Sequence, residues 1–181
     1  MKVTKKRAWR LILMGLIAAV LIFDAMDRSV SWHLEEEVRE EFLFKSSAED
    51  LQNTYRSHFG SREFQFPRET TAKVKLFKNQ FLMSRLTSIA VPDSLTARVV
   101  NLFNDPDNFD WRETTWNPAA DYQYLFRFYD DQNTVIGKAW FCLEDCGMVK
   151  SMPFSPNMKF GSFSGQGMKA IVDLLHQLEK I

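Results

Sequence analysis

One apolar run near the start of this chain constrains its fate more than any other feature. Leu11 to Phe23 reads Leu-Ile-Leu-Met-Gly-Leu-Ile-Ala-Ala-Val-Leu-Ile-Phe, with no charge anywhere in it. Lys2, Lys5, Lys6, Arg7 and Arg10 precede it, Trp9 stands among them, and Asp24 follows. Cations ahead of an apolar stretch are the layout of a targeting segment. At about 1.5 Å per residue the run reaches about 20 Å as a helix, short of a hydrocarbon core of about 30 Å, so a stable span has to draw on its flanks. Trp9 suits the interface, Arg10 can snorkel toward headgroups, and Ala25 and Met26 add apolar length.

The competing reading is a secretory signal that is cleaved. Cleavage needs small residues at two alternating positions, and Phe23-Asp24-Ala25 puts a ring where a small side chain belongs. The expectation is therefore a single-pass signal anchor in the cell membrane, with the N-terminus cytoplasmic and the body extracytoplasmic. The alternative is a body left secreted or periplasmic after cleavage.

The formal net charge of zero conceals an asymmetry. Of 23 basic and 23 acidic residues, six basic and two acidic fall within 1–28, leaving 17 and 21 in the remainder. A mildly acidic body has no phosphate-neutralising field, so no nucleic-acid partner is expected. The lipid bilayer is the partner expected of the basic tip and its helix.

With 181 residues the chain is long enough for one buried core and too short for two ordinary domains. We divide it into a basic tip and anchor over 1–28, a helical stalk or first helices over 29–60, and an extracytoplasmic domain over 61–181. Leu34, Val38 and Phe42 make a helical stripe, and Ser46 with Glu49 has the form of a capping box for a second helix carrying Leu51, Tyr55 and Phe59. Phe64 with Phe66, and Ala72, Val74 and Leu76, alternate as strands do. Ser94 is expected to cap a helix that Asn104-Asp105-Pro106 terminates. From Phe109 to Phe154 alternation dominates, through Trp111, Tyr124, Phe126, Phe128, Val135, Gly137, Ala139 and Phe141, which predicts an antiparallel meander. Ser164 to Lys180 then reads as a helix with Met168, Ile171, Val172, Leu175 and Leu178 on one face. The fold class expected is α+β: a β-meander packed with N-terminal and C-terminal helices, preceded by one transmembrane helix.

Cys142 and Cys146 are the two cysteines, and they bracket Leu143-Glu144-Asp145. Side chains across so short a loop can face each other in a hairpin, and an oxidising compartment lets them bond, so a structural disulfide is expected, with free thiols or a redox or metal site as alternatives. His33, His58 and His176 are dispersed, without the pair spacing of a metal site. Asp105, Asp107 and Asp110 resemble the start of a calcium loop, but Asp110 stands where glycine is needed and Trp116 where glutamate is needed. Gly165-Gln166-Gly167-Met168-Lys169-Ala170 has the small-residue spacing of a dinucleotide fingerprint without the following strand, so a helix cap is the expected role. No cofactor is expected.

The sheet region is aromatic. Trp140 shares its face with Ile136, Lys138, Cys142 and Glu144 rather than with the more apolar set, which makes it the candidate binding residue. With no catalytic constellation visible, the expected function is a membrane-tethered binding or inhibitor module whose partner is an envelope protein or a toxin. The alternative is an envelope enzyme, a hydrolase using carboxylates such as Asp121, Asp130 and Asp131 or a thiol protein using Cys142 and Cys146.

Overall fold

The computed structural model describes residues 5–28, 47–57, 62, 64–79, 88–111, 122–143, 147–158 and 162–179. Helix α1, Lys5–Arg28, contains the apolar run and continues through both flanks. Within it, Arg7–Met26 is long and apolar enough to cross a membrane, by length and composition. The expected helix around Leu34, Val38 and Phe42 lies outside the described residues.

Helix α2 spans Ala48–Ser57. Its cap is one residue later than expected: the Ser47 hydroxyl accepts from the Asp50 N–H at 3.1 Å and donates to the Asp50 carboxylate at 2.7 Å. Ser46/Glu49 and Ser47/Asp50 share the same spacing, so the pattern alone does not choose between them. Tyr55, two turns in, is buried.

The body is mixed α+β. Strands β1 (Lys73–Lys78), β2 (Ile89–Ala90), β4 (Tyr124–Tyr129), β5 (Val135–Phe141) and β6 (Val149–Met152) form one sheet in the order β2-β1-β4-β5-β6, antiparallel at every pairing. β3 (Phe109–Asp110) and β7 (Ser162–Phe163) make a separate two-stranded ribbon. Phe109 therefore does not belong to the large sheet, although it alternates with Trp111 as those strands do. β1 enters the sheet beside β4, which no local alternation signals. The turn from β4 to β5 is built as its residues predict: Asp130 Oδ1 accepts from the N–H groups of Gln132 (2.9 Å) and Thr134 (2.7 Å), and Asn133 sits at a φ of 60°.

Phe64 and Phe66 are buried but form no strand. Pro67 removes a donor there, and the backbone groups of Phe66 are taken by a side chain. Asn104 Oδ1 accepts the Phe66 N–H at 2.8 Å, while Asn104 Nδ2 donates to the Phe66 carbonyl. One amide thus does for Phe66 what a neighbouring strand would have done.

Helix α3, Asp93–Asn104, starts at Pro92 rather than Ser94, and no side chain caps it. The Pro92 carbonyl accepts from the Leu95 and Thr96 N–H groups at 2.8 and 3.1 Å, and Asp93 places a carboxylate in the first turn, where the helix dipole favours it. The helix ends at Asn104 because Asp105, preceding Pro106, is extended. The last four carbonyls of a helix lack partners within it. In α3 each is satisfied: Asn101 O by the Asp105 N–H (2.9 Å), Leu102 O by Asn108 Nδ2 (3.0 Å), Phe103 O by Asn157 Nδ2, and Asn104 O by the Tyr55 hydroxyl (3.0 Å). Those bonds tie α2, the turn at Pro106–Asn108 and the turn at Pro156–Met158 to one helix end.

Helix α4 spans Gly165–Leu178 with Ile171, Leu174, Leu175 and Leu178 buried. It and α3 cover one sheet face, burying Val74, Leu76, Phe126, Phe128, Phe141 and Val149. Phe103 is at the centre, with the rings of Phe66, Phe126 and Phe128 at 6.0, 5.8 and 5.9 Å in edge-on contact. Edge-on pairs of this kind add about 0.5–1.5 kcal/mol each beyond the area they bury.

Candidate functional site

The second sheet face holds Trp140, and it is a core of its own. Trp140 is 0% exposed among Phe77, Tyr122, Leu125, Cys142 and Met148, so the indole itself presents no surface to a partner. Burial pushes the Tyr122 phenol pKa well above its ordinary value. Around this cluster the face is cationic. Lys75, Arg127 and Lys138 are direct cross-strand neighbours in a row, with Lys73 and Lys150 nearby. Like charges set opposite each other across strands repel, and aromatic faces offset part of that cost. Arg127 lies 4.4 Å from the Phe77 ring centre, Lys75 5.7 Å from Tyr129 and Lys138 5.9 Å from Trp140. Lys138 and Lys150 are only 6% and 7% exposed.

Cys142 is joined in a disulfide, and its backbone N–H donates to Met148 O at 3.0 Å, holding the two ends of the hairpin together. Cys146, Glu144 and Asp145 lie outside the described residues, as do His33, His58, Trp116 and Asp121. His176 is exposed on α4. Among the described residues no group of three or more His, Cys, Asp or Glu is placed to hold a metal.

Two motifs have structural duties. Asp105 Oδ1 accepts from the Asp107 N–H at 3.0 Å, and Asp107 pairs with Arg56 of α2, so these carboxylates shape and fasten a turn. Ser164 caps α4, accepting from the Gly167 N–H at 3.1 Å and donating to Asp107 O at 2.7 Å. A Cβ on Gly167 would stand 1.9 Å from Asn108 O, whereas one on Gly165 would meet nothing within 4 Å. Gly167 is there for close approach of helix to turn.

The concave site is elsewhere, along the flank of α3 next to the side that buries Val99 and Phe103. Asp93, Thr96, Ala97, Val100, Asn101 and Asn104 recur at helical spacing and form one wall; the 65–72 segment forms the other, with Tyr55 at one end. The half-open groove between them measures about 660 Å³, within the range of small-molecule sites. Its walls are held from behind. Asn104 also donates to Val100 O at 2.8 Å, and a Cβ on Gly137 of β5 would come within 2.8 Å of Pro67, so glycine at that position lets the segment lie on the sheet. Burial, with a smaller contribution from the Asp105 carboxylate, raises the Tyr55 phenol pKa and keeps it a neutral donor.

The groove's lining mixes polar and apolar residues. Thr71 Oγ1 is buried and has no hydrogen-bond partner among the described residues. Glu69 and Asp93 are exposed at the rim. None of these residues stands out in the sequence: Thr71 lies just ahead of a strand, Glu69 follows Pro67 by two residues and Asp93 follows Pro92, places where polar residues are expected anyway.

Compared with known protein families, characterised proteins and solved structures, the chain matches none.

Proposed function

We propose that this chain is a membrane-tethered binding module, anchored by α1, with its α+β body in an extracytoplasmic, oxidising compartment. The observation that carries the reading is the exposure, on every side, of the apolar run of α1 that precedes the buried Asp24. Leu11, Ile12, Leu13 and Met14 are consecutive, so they point around the whole helix, and each is more than half exposed. A helix apolar around its circumference needs an apolar medium. The five cations ahead of it favour a cytoplasmic tip. A bond between Cys142 and Cys146 is the chemistry expected of the far side. The partner expected for the body is an envelope protein or a toxin.

The test is alkaline-carbonate extraction of membranes from cells expressing the full chain, followed by the mass of the intact protein. The expected outcome is a membrane-bound species of full 21.2 kDa length, lighter than the reduced chain by two hydrogens. A soluble full-length protein with free thiols overturns the reading, and a species shortened near Ala25 replaces the anchor by a cleaved signal.

A further inference from the structure

We propose that the basic start of α1 binds the phosphate of anionic phospholipids. The inference deepens the membrane-tethered reading and rests on it, naming the lipid class that holds the cytoplasmic end. Lys2, Lys5, Lys6, Arg7 and Arg10 fall within the first ten residues, and no acidic residue occurs before Asp24. From Lys5 onward they belong to one unbroken helix whose first turn holds no carboxylate. The partial positive charge of a helix N-terminus disfavours cations there, so this arrangement costs stability until an anion meets it. Arg7 and Arg10 are exposed, and neither has an ion pair among the described residues. Geometry puts the anion in the headgroup layer. Arg7–Met26 fills a hydrocarbon core of about 30 Å, which sets Arg7 at its edge and Arg10 about 4.5 Å inside. Helix side chains lean toward the N-terminus, so both guanidinium groups reach back to the phosphates. The two arginines are three residues apart and share a helix face, and each can fork onto two oxygens of one phosphate. Trp9, 72% exposed between them, has the apolar ring and N–H that suit the same layer. A zwitterionic headgroup brings its own cation and leaves the cluster uncompensated, whereas a headgroup of net negative charge offsets it.

The full chain, reconstituted into phosphatidylcholine vesicles with traces of spin-labelled phosphatidylglycerol or spin-labelled phosphatidylcholine, tests this by electron spin resonance, which separates lipid held against the protein from free lipid. Phosphatidylglycerol is expected to associate about fivefold more strongly, the preference that roughly one cation confers at an anionic surface. In salt of about 1 M, where the Debye length is about 3 Å, the preference is expected to fall to about twofold or less. The combined variant Lys5→Gln, Lys6→Gln, Arg7→Gln, Arg10→Gln is expected to abolish it, while Arg7→Lys with Arg10→Lys keeps the charge and is expected to retain most of it. Soluble glycerol phosphate is expected not to compete. Equal association of the two lipids with the parent chain overturns the proposal. So does a preference that survives the glutamine variant, which places the anion elsewhere on the chain, or displacement of lipid by glycerol phosphate, which assigns the site to a free phosphate. A chain that does not enter the vesicles overturns the membrane-tethered reading itself, so the two failures are distinct.

Discussion

Asn104 joins three parts of the molecule with one residue. Its side-chain amide holds both backbone groups of Phe66 and the Val100 carbonyl, and its own carbonyl receives the Tyr55 hydroxyl. Asn104→Ala leaves those buried groups unpaired, so we expect a loss of about 2–4 kcal/mol in urea unfolding. Tyr55→Phe removes one bond and is expected to cost about 1 kcal/mol. The same tyrosine makes stability pH-dependent. Its folded pKa, like that of Tyr122, is raised above the unfolded value of about 10. Below pH 10 both states are protonated and the contribution is whole. Above it the unfolded chain loses protons that the folded chain keeps, so stability falls as pH rises, by about 1.4 kcal/mol per pH unit for each tyrosine. Denaturation curves are expected to show no contribution to the slope from these groups below about pH 10 and this slope above it, roughly halved in Tyr55→Phe.

The elements differ in how far their own residues announce them. α4, the β4–β5 hairpin and the end of α3 were legible because their signals are local: a 3.6-residue stripe, a period of two around Asp130-Asp131-Gln132-Asn133, and Asp105 before Pro106. Three features were not, because distant partners decide them. Phe66 alternates with Phe64 as a strand residue does, yet Asn104 takes its backbone. Phe109 alternates with Trp111 but pairs with Phe163, and Trp140 lies on the more polar face and is still fully covered. The groove was invisible for the same reason, since its two walls lie more than twenty residues apart in sequence and neither is distinctive alone. The glycines opening α4 give a sharp test of how elements meet. Gly167→Ala drives a methyl group into the Asn108 carbonyl and is expected to cost about 3 kcal/mol, while Gly165→Ala is expected to stay within about 0.5 kcal/mol of the parent. Equal effects at both positions in thermal melts would contradict the packing role.

Over the whole molecule, charge and apolarity are sorted by region. Cations gather at the tip and along one face of the sheet, aromatic rings line the sheet on both sides, and α1 keeps an apolar surface that no part of the body covers among the described residues. One charge in the middle of that helix is therefore a sensitive probe. Ile17→Arg is expected to raise the free energy of insertion by about 2.5–3.5 kcal/mol and to shift protein from the membrane to the soluble fraction. The account depends most on which side of the bilayer the body occupies. Protease added to sealed, right-side-out vesicles carrying the full chain with a C-terminal tag tests it directly. Loss of the tag from intact vesicles, with an N-terminal fragment retained in the membrane, is the result expected. A tag that survives until the vesicles are opened by detergent would contradict it.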